Sequence, residues 1–169
     1  MVSPPALQIA VVGGSRCTPE QGALARAVGA GLARAGAILL CGGGAGVMAA
    51  ASAGARAASG LVIGILPGAG PDESPPNPDV TVPLYTGLGQ ARNVVIVLSA
   101  DAVIAIAGSW GTLSEIALAR RHGRPVVLLD SWRAVPPDGE EDPSVLEAGS
   151  AEEAVRLALA SARKEEPTR

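Results

Sequence analysis

Short continuous apolar runs alternate along this chain with stretches in which apolar residues recur every three or four positions. Leu7 to Val12 is such a run and ends in Gly13-Gly14-Ser15-Arg16, the pattern of a strand buried on both faces and followed by a turn. Thr18, Pro19 and Gln21 then form a capping box with proline at the first helical position, and Leu24, Val28 and Leu32 mark one buried stripe before Gly36. The pattern repeats: Ala37 to Leu40 predicts a second strand, Cys41 to Gly46 a glycine turn, Val47 to Ser59 a helix of small residues, and Leu61 to Leu66 a third strand. Strands and helices alternating at these lengths predict an α/β fold, a doubly wound parallel sheet with right-handed crossovers.

The second half is less regular. Pro67 to Asp79 is too rich in proline for a regular element and reads as a surface loop or a lid beside the strand ends, and Thr81 to Leu84 as a short strand that Pro83 keeps from the sheet centre. Gly89 to Ser99 would pass as a strand on composition. A helix is expected instead, because Ala102 to Ala107 already supplies the next parallel strand and a crossover must precede it. Gly108 to Gly111 reads as a tight turn, Thr112 to Arg121 as a helix stopped near Gly123, and Pro125 to Leu129 as the last clear strand. Ser131 to Gly149 reads as loop, turning at Pro136-Pro137-Asp138-Gly139. Ser150 and Glu153 cap a closing helix, and the tail 164–169 is expected to fray.

Composition narrows the possibilities. Apolar residues make up 48% of the chain, yet Gly, Arg or Asp interrupts every apolar run before it could span a membrane. Aromatics are 2%, with no Phe, so the core is built from Val, Ile, Leu and Ala. A chain this apolar is expected to cover some faces by pairing subunits, as a homodimer or homotetramer, with Gly89 to Ser99 as the interface candidate. The net charge of −3 and the absence of a basic cluster argue against nucleic acid as a partner. Cys17 and Cys41 stand apart, and the N-terminus lacks the pattern of a signal peptide; a reduced cytoplasmic setting is expected.

Three polar or glycine-rich turns follow strands: Gly13 to Arg16, Gly42 to Gly46, and Gly108 to Thr112. At the carboxyl edge of a parallel sheet such turns let main chain and helix N-termini approach an anion. Neither a dinucleotide fingerprint nor a nucleoside-triphosphatase loop is present. Arg92 and Glu115 flank this edge. They are either an anion-binding arginine with a carboxylate for a sugar or ring, or an internal salt bridge. Trp110 either stacks on a base or buries against a neighbouring subunit. One His and two separated Cys make no transition-metal cluster, so no metal is expected.

Gly42-Gly43-Gly44-Ala45-Gly46-Val47-Met48 resembles the GGGxxGxM turn of the LOG family, and Gly108-Ser109-Trp110-Gly111-Thr112-Leu113-Ser114-Glu115 resembles its PGGxGTxxE segment, with Arg92 at the spacing of the family arginine. The resemblance runs from Leu7 to Leu129. It implies the Rossmann-like SLOG superfamily and a single nucleotide- or phosphate-binding domain over 1–169. For LOG enzymes it implies hydrolysis of a nucleoside 5′-monophosphate to base and ribose 5-phosphate, with Arg92 and Glu115 as the catalytic pair. Ala107, Ser109 and Asn93 depart from the enzyme motif and look like the molybdenum-cofactor-carrier-like subgroup, in which Arg-Asn is found.

The expectation is therefore binding of a phosphorylated nucleotide or molybdopterin-like cofactor. Its site draws on Gly13, Gly14, Ser15, Arg16, Gly43, Gly44, Met48, Arg92, Asn93, Gly108, Ser109, Trp110, Gly111, Thr112 and Glu115. No cofactor is required. Phosphoribohydrolase activity and a purely structural or interaction role are the alternatives. The lysine decarboxylase label once used for the family finds no support, because Lys164 in the polar tail is the only lysine available for a Schiff base.

Overall fold

Strand residues of this chain are apolar on alternate positions and on the positions between them, so each strand has two faces to bury. The computed structural model, which describes residues 5–164 other than 134, 136, 138, 140 and 141, meets that need with one parallel sheet between two helical layers. In chain order the elements are β1 (Gln8–Gly13), α1 (Pro19–Arg34), β2 (Ile38–Cys41), α2 (Val47–Ala57), β3 (Val62–Leu66), β4 (Val82–Tyr85), α3 (Arg92–Ser99), β5 (Ala102–Ile106), α4 (Trp110–Arg121), β6 (Val126–Leu129), β7 (Val145–Ala148) and α5 (Ala151–Lys164). The seven strands lie in the order β4-β3-β2-β1-β5-β6-β7. Every pairing is parallel. The fold is the Rossmann-like α/β class expected.

Period-two alternation distributes the core. Ile9, Val11, Leu39, Ile104 and Val127 point into the layer of α1, α2 and α5; Ala10, Val12, Leu40, Val103 and Val126 point into the layer of α3 and α4. The Thr18 capping box forms as expected, with Gln21 N–H donating to Thr18 Oγ1 at 3.2 Å and Thr18 N–H to Gln21 Oε1 at 3.1 Å.

Three boundaries differ from the sequence reading. β7 lies inside the stretch read as loop: only four residues long and half-exposed at the sheet edge, it lacks the run length that marks the central strands, and its pairing with β6 defines it. The Pro136 to Gly139 turn falls partly outside the described residues, as does the tail beyond Lys164. α4 begins at Trp110, two residues before the expected start, because Ser109 serves as its cap. Gly89 to Ala91 form a separate 3-10 turn before α3. β4 sits at the edge, consistent with its proline. The Pro67 to Asp79 segment folds back on the glycine turn after β2: Asn77 N–H donates to Gly43 O at 2.8 Å and Asn77 Nδ2 to Gly44 O at 3.0 Å.

Candidate functional site

The chain leaves β1 toward β2 on one side, and β5 begins the other half of the sheet on the opposite side, so the strand order reverses between them. Open α/β sheets form a crevice at such a point. Here a cleft of about 610 Å³ opens over the carboxyl ends of β1 and β2, walled by the start of α3 and the first turns of α4. Its lining includes Gly13, Ser15, Met48, Arg92, Asn93, Ser109, Trp110, Gly111, Thr112 and Glu115. Gly14, Arg16, Gly43, Gly44 and Gly108 do not line it. Gly14 accepts the N–H of Val47 through its carbonyl at 3.0 Å and so ties the first turn to α2. Gly43 and Gly44 receive the Asn77 clamp, and Arg16 and Gly108 border an adjacent cavity.

At the start of α4 the backbone turns sharply. Gly108 has φ 129°, and a Cβ there would lie 2.7 Å from Thr112 Cβ. Ser109 N–H donates to Thr112 Oγ1 at 3.3 Å, and Leu113 N–H returns to Ser109 O at 3.0 Å. The N–H groups of Trp110 and Gly111 have no partner among the described residues and face the cleft end of the helix. Buried Asn93 braces this turn from α3: its Nδ2 donates to Ser114 Oγ at 3.2 Å, and Ser114 Oγ donates to Gly111 O at 2.7 Å.

Arg92 and Glu115 meet in this cleft without pairing. No ion pair among the described residues includes either, so the internal salt bridge that the sequence left open is not formed. Arg92 Nη1 instead donates to Ile65 O at 3.0 Å, while its buried Nε has no acceptor. Gly42 makes this placement possible, since a Cβ there would lie 2.1 Å from Nη1. Glu115 is 8% exposed, and no hydrogen bond among the described residues reaches its carboxylate. Burial pushes its pKa up to about 7 against the opposing pull of the Arg92 charge. Burial likewise lowers the Arg92 pKa, with Glu115 and then Cys41 acting the other way. Such an arrangement can hold an anion at the helix N-terminus, offer a donor from Arg92, and take or give a proton near neutral pH through Glu115.

Sequence reasoning missed Gly42, Gln90, Val94, Ser114 and Leu118, which also line the cleft. Only Gly42 carried a signal, as the first glycine of its turn. Nothing local marks the others, because their part depends on packing between α3 and α4. No group of three or more His, Cys, Asp or Glu side chains able to hold a metal occurs among the described residues.

The sequence model of the SLOG cluster4 family matches residues 6–165. An uncharacterized protein of Archaeoglobus fulgidus is 39% identical over 158 residues, covering 94% of this chain and 98% of its own. Among solved structures, the molybdenum cofactor binding protein from the phototrophic bacterium Rippkaea orientalis is 36% identical with a TM-score of 0.82, over 94% of this chain and 98% of that one. The Moco carrier protein from Chlamydomonas reinhardtii is 33% identical, also with a TM-score of 0.82, over 95% and 99% of the two chains.

Proposed function

The chain belongs to the SLOG cluster4 family, and from that premise we propose that its cleft binds a phosphorylated heteroaromatic ligand of the molybdopterin or nucleotide class. One observation carries this reading: Arg92 and Glu115, opposite charges that form no ion pair with each other, line one cleft beside the N-terminus of α4 at the strand-order reversal. A ligand with an anionic end and ring N–H groups would meet both charges, the anion at the guanidinium and the N–H groups at the carboxylate. The phosphate would sit on the Trp110 and Gly111 N–H groups, with Arg92 beside it, and Glu115 would accept from a ring or amino N–H. A volume of about 610 Å³ lies within the range of small-molecule sites, roughly 300–1,000 Å³. For a molybdopterin-type ligand these residues fit the organic part, and the hold would fall on phosphate and ring edge. The similarity to proteins that bind or carry the molybdenum cofactor supports this limb of the reading.

Hydrolysis of a nucleoside 5′-monophosphate is the second reading, and the raised Glu115 pKa favours it, because a carboxyl titrating near 7 can exchange a proton at neutral pH. Against it stands Ala107, whose φ of 51° no proline could adopt. The turn before the phosphate cradle therefore follows a different path from the prolyl turn of the enzyme motif.

One experiment tests both. The purified protein is titrated with molybdopterin and with AMP and GMP by calorimetry, and each mixture is followed by chromatography for free base. Saturable binding without base release, weakened at least about ten-fold in Arg92→Ala, is the expected result. Base release that Glu115→Gln abolishes while binding persists would establish the hydrolase instead. Absence of binding by all three compounds would sink the ligand reading and leave a structural role.

A further inference from the structure

Across the Gly108 to Trp110 turn from the cleft lies a second cavity of about 360 Å³, lined by Arg16, Gln21, Ala107, Asp130, Ser131 and Trp132 together with Gly108. It opens on the same carboxyl edge of the sheet, over the ends of β1, β5 and β6, on the side where α1 begins. The ligand contacts described above do not use it.

Three features distinguish this cavity from a surface dent. The first is aromatic. Trp110 lines the cleft and Trp132 the second cavity, and their rings meet with centroids 5.2 Å apart and planes tilted by 35°. The pair is thus a wall common to both spaces, yet Trp110 is 76% exposed. An indole left so open offers a flat face to another planar ring. The second feature is backbone conformation. Ala107 and Asp130 directly follow neighbouring strands β5 and β6, and both have φ 51°, which side-chain-bearing residues adopt only at a cost. Both are fastened there: Ser131 Oγ donates to Ala107 O at 2.6 Å, and Gln21 Nε2 to Asp130 Oδ2 at 3.2 Å. The third feature is polarity. Arg16, Gln21, Asp130 and Ser131 supply donors and acceptors, which suit hydroxyls and ring edges better than the apolar face of another subunit.

We propose that cleft and cavity are the two halves of one extended site for a ligand of the dinucleotide class, two planar heteroaromatic rings joined through a diphosphate. One ring lies in the cleft by Glu115, the diphosphate crosses the N-terminus of α4 beside Gly108, which borders the second cavity, and the second ring rests on Trp132. This extension depends on the phosphate-ligand reading and adds to it the length of the ligand and the role of Trp132.

The test compares GMP, GDP and a diphosphate-linked guanine dinucleotide by calorimetry, and follows intrinsic fluorescence, to which Trp110 and Trp132 are the only tryptophan contributors. Stacking of the second ring is expected to make the dinucleotide bind about ten-fold or more tighter than GDP and to quench the tryptophan emission further. Trp132→Leu should lower dinucleotide affinity by a much larger factor than GMP affinity and so remove that gain, while Trp132→Phe should retain most of it. Equal affinity of GDP and dinucleotide, with GMP binding intact, overturns the extension alone. Failure of all three to bind overturns it together with the nucleotide limb of the parent reading. A change of oligomeric state in Trp132→Leu, with no ring-dependent gain in the wild type, would assign the tryptophan pair to a second copy of the chain.

Discussion

A carboxyl placed in the first turns of α4, 8% exposed and without a donor, works against the fold that holds it. Its pKa rises from 4.5 to about 7, so between those values the folded chain binds more protons than the unfolded chain. Stability from this group is therefore full below about pH 4.5 and declines as pH rises toward 7, by on the order of 3 kcal/mol. Glu115→Gln keeps the shape and removes the charge, so urea denaturation should find the variant more stable than the wild type at pH 8, and the two nearly equal at pH 4.5. A wild type as stable at pH 8 as at pH 4.5, relative to the variant, would show that the carboxylate is solvated in the folded state. Residues of this kind were legible by type and position: Arg92 and Glu115 stood out as unlike their apolar neighbours. Gly42 showed only as a turn glycine, because its task is to leave space for a guanidinium fifty positions away, and no pattern within one element encodes that contact.

Close helix approach governs the element scale. α1 and α2 meet where both lack side chains: a Cβ on Gly29 would lie 2.0 Å from Ala51 O, and one on Gly54 would lie 1.9 Å from Arg26 O. Backbone stands in the way at both positions, so neither can yield by a rotamer change. Gly54→Ala is expected to lower stability by about 3 kcal/mol, measured by urea denaturation. Gly42→Ala meets only the tip of a flexible side chain and should cost well under that, about 1 kcal/mol, while displacing Arg92 from Ile65 O and weakening ligand binding. Equal stability losses in the two variants would contradict this assignment. Helix starts with a side-chain cap, such as Thr18 and Ser150, were readable as three-residue spacings. The start of α4 was harder, since Ser109 occupies the place that the motif gives to glycine. Strand β7 escaped because a short edge strand needs only intermittent burial and leaves no continuous apolar run.

At the scale of the whole molecule, alternation of doubly buried strands with amphipathic helices made the layered parallel sheet legible in advance. The order of strands was not, because lateral order is settled by which crossovers cover which face. That order has a dynamic consequence. The connection from β4 at the sheet edge to β5 at its centre is the one that carries Arg92, and it passes over the reversal point on α3. α3 has only eight residues, with β-branched Val94, Val95, Ile96 and Val97 in succession, too short and too stiff to persist as an isolated helix. It is held by burial of Ile96 and Val97 and by Asn93 reaching α4, while Leu98 remains 48% exposed. A ligand bridging Arg92 to the start of α4 would clamp its first turn and make this crossover slower to open. Amide protons of residues 92–99 should then exchange with deuterium up to about 100-fold more slowly at a ligand concentration of about 100 Kd, where their opening is limiting. Unchanged exchange over 92–99 with ligand demonstrably bound would mean that the anion is held by α4 alone. On this view the binding site sets the lifetime of the joint between the two halves of the sheet, and an empty cleft is the state in which that joint breathes.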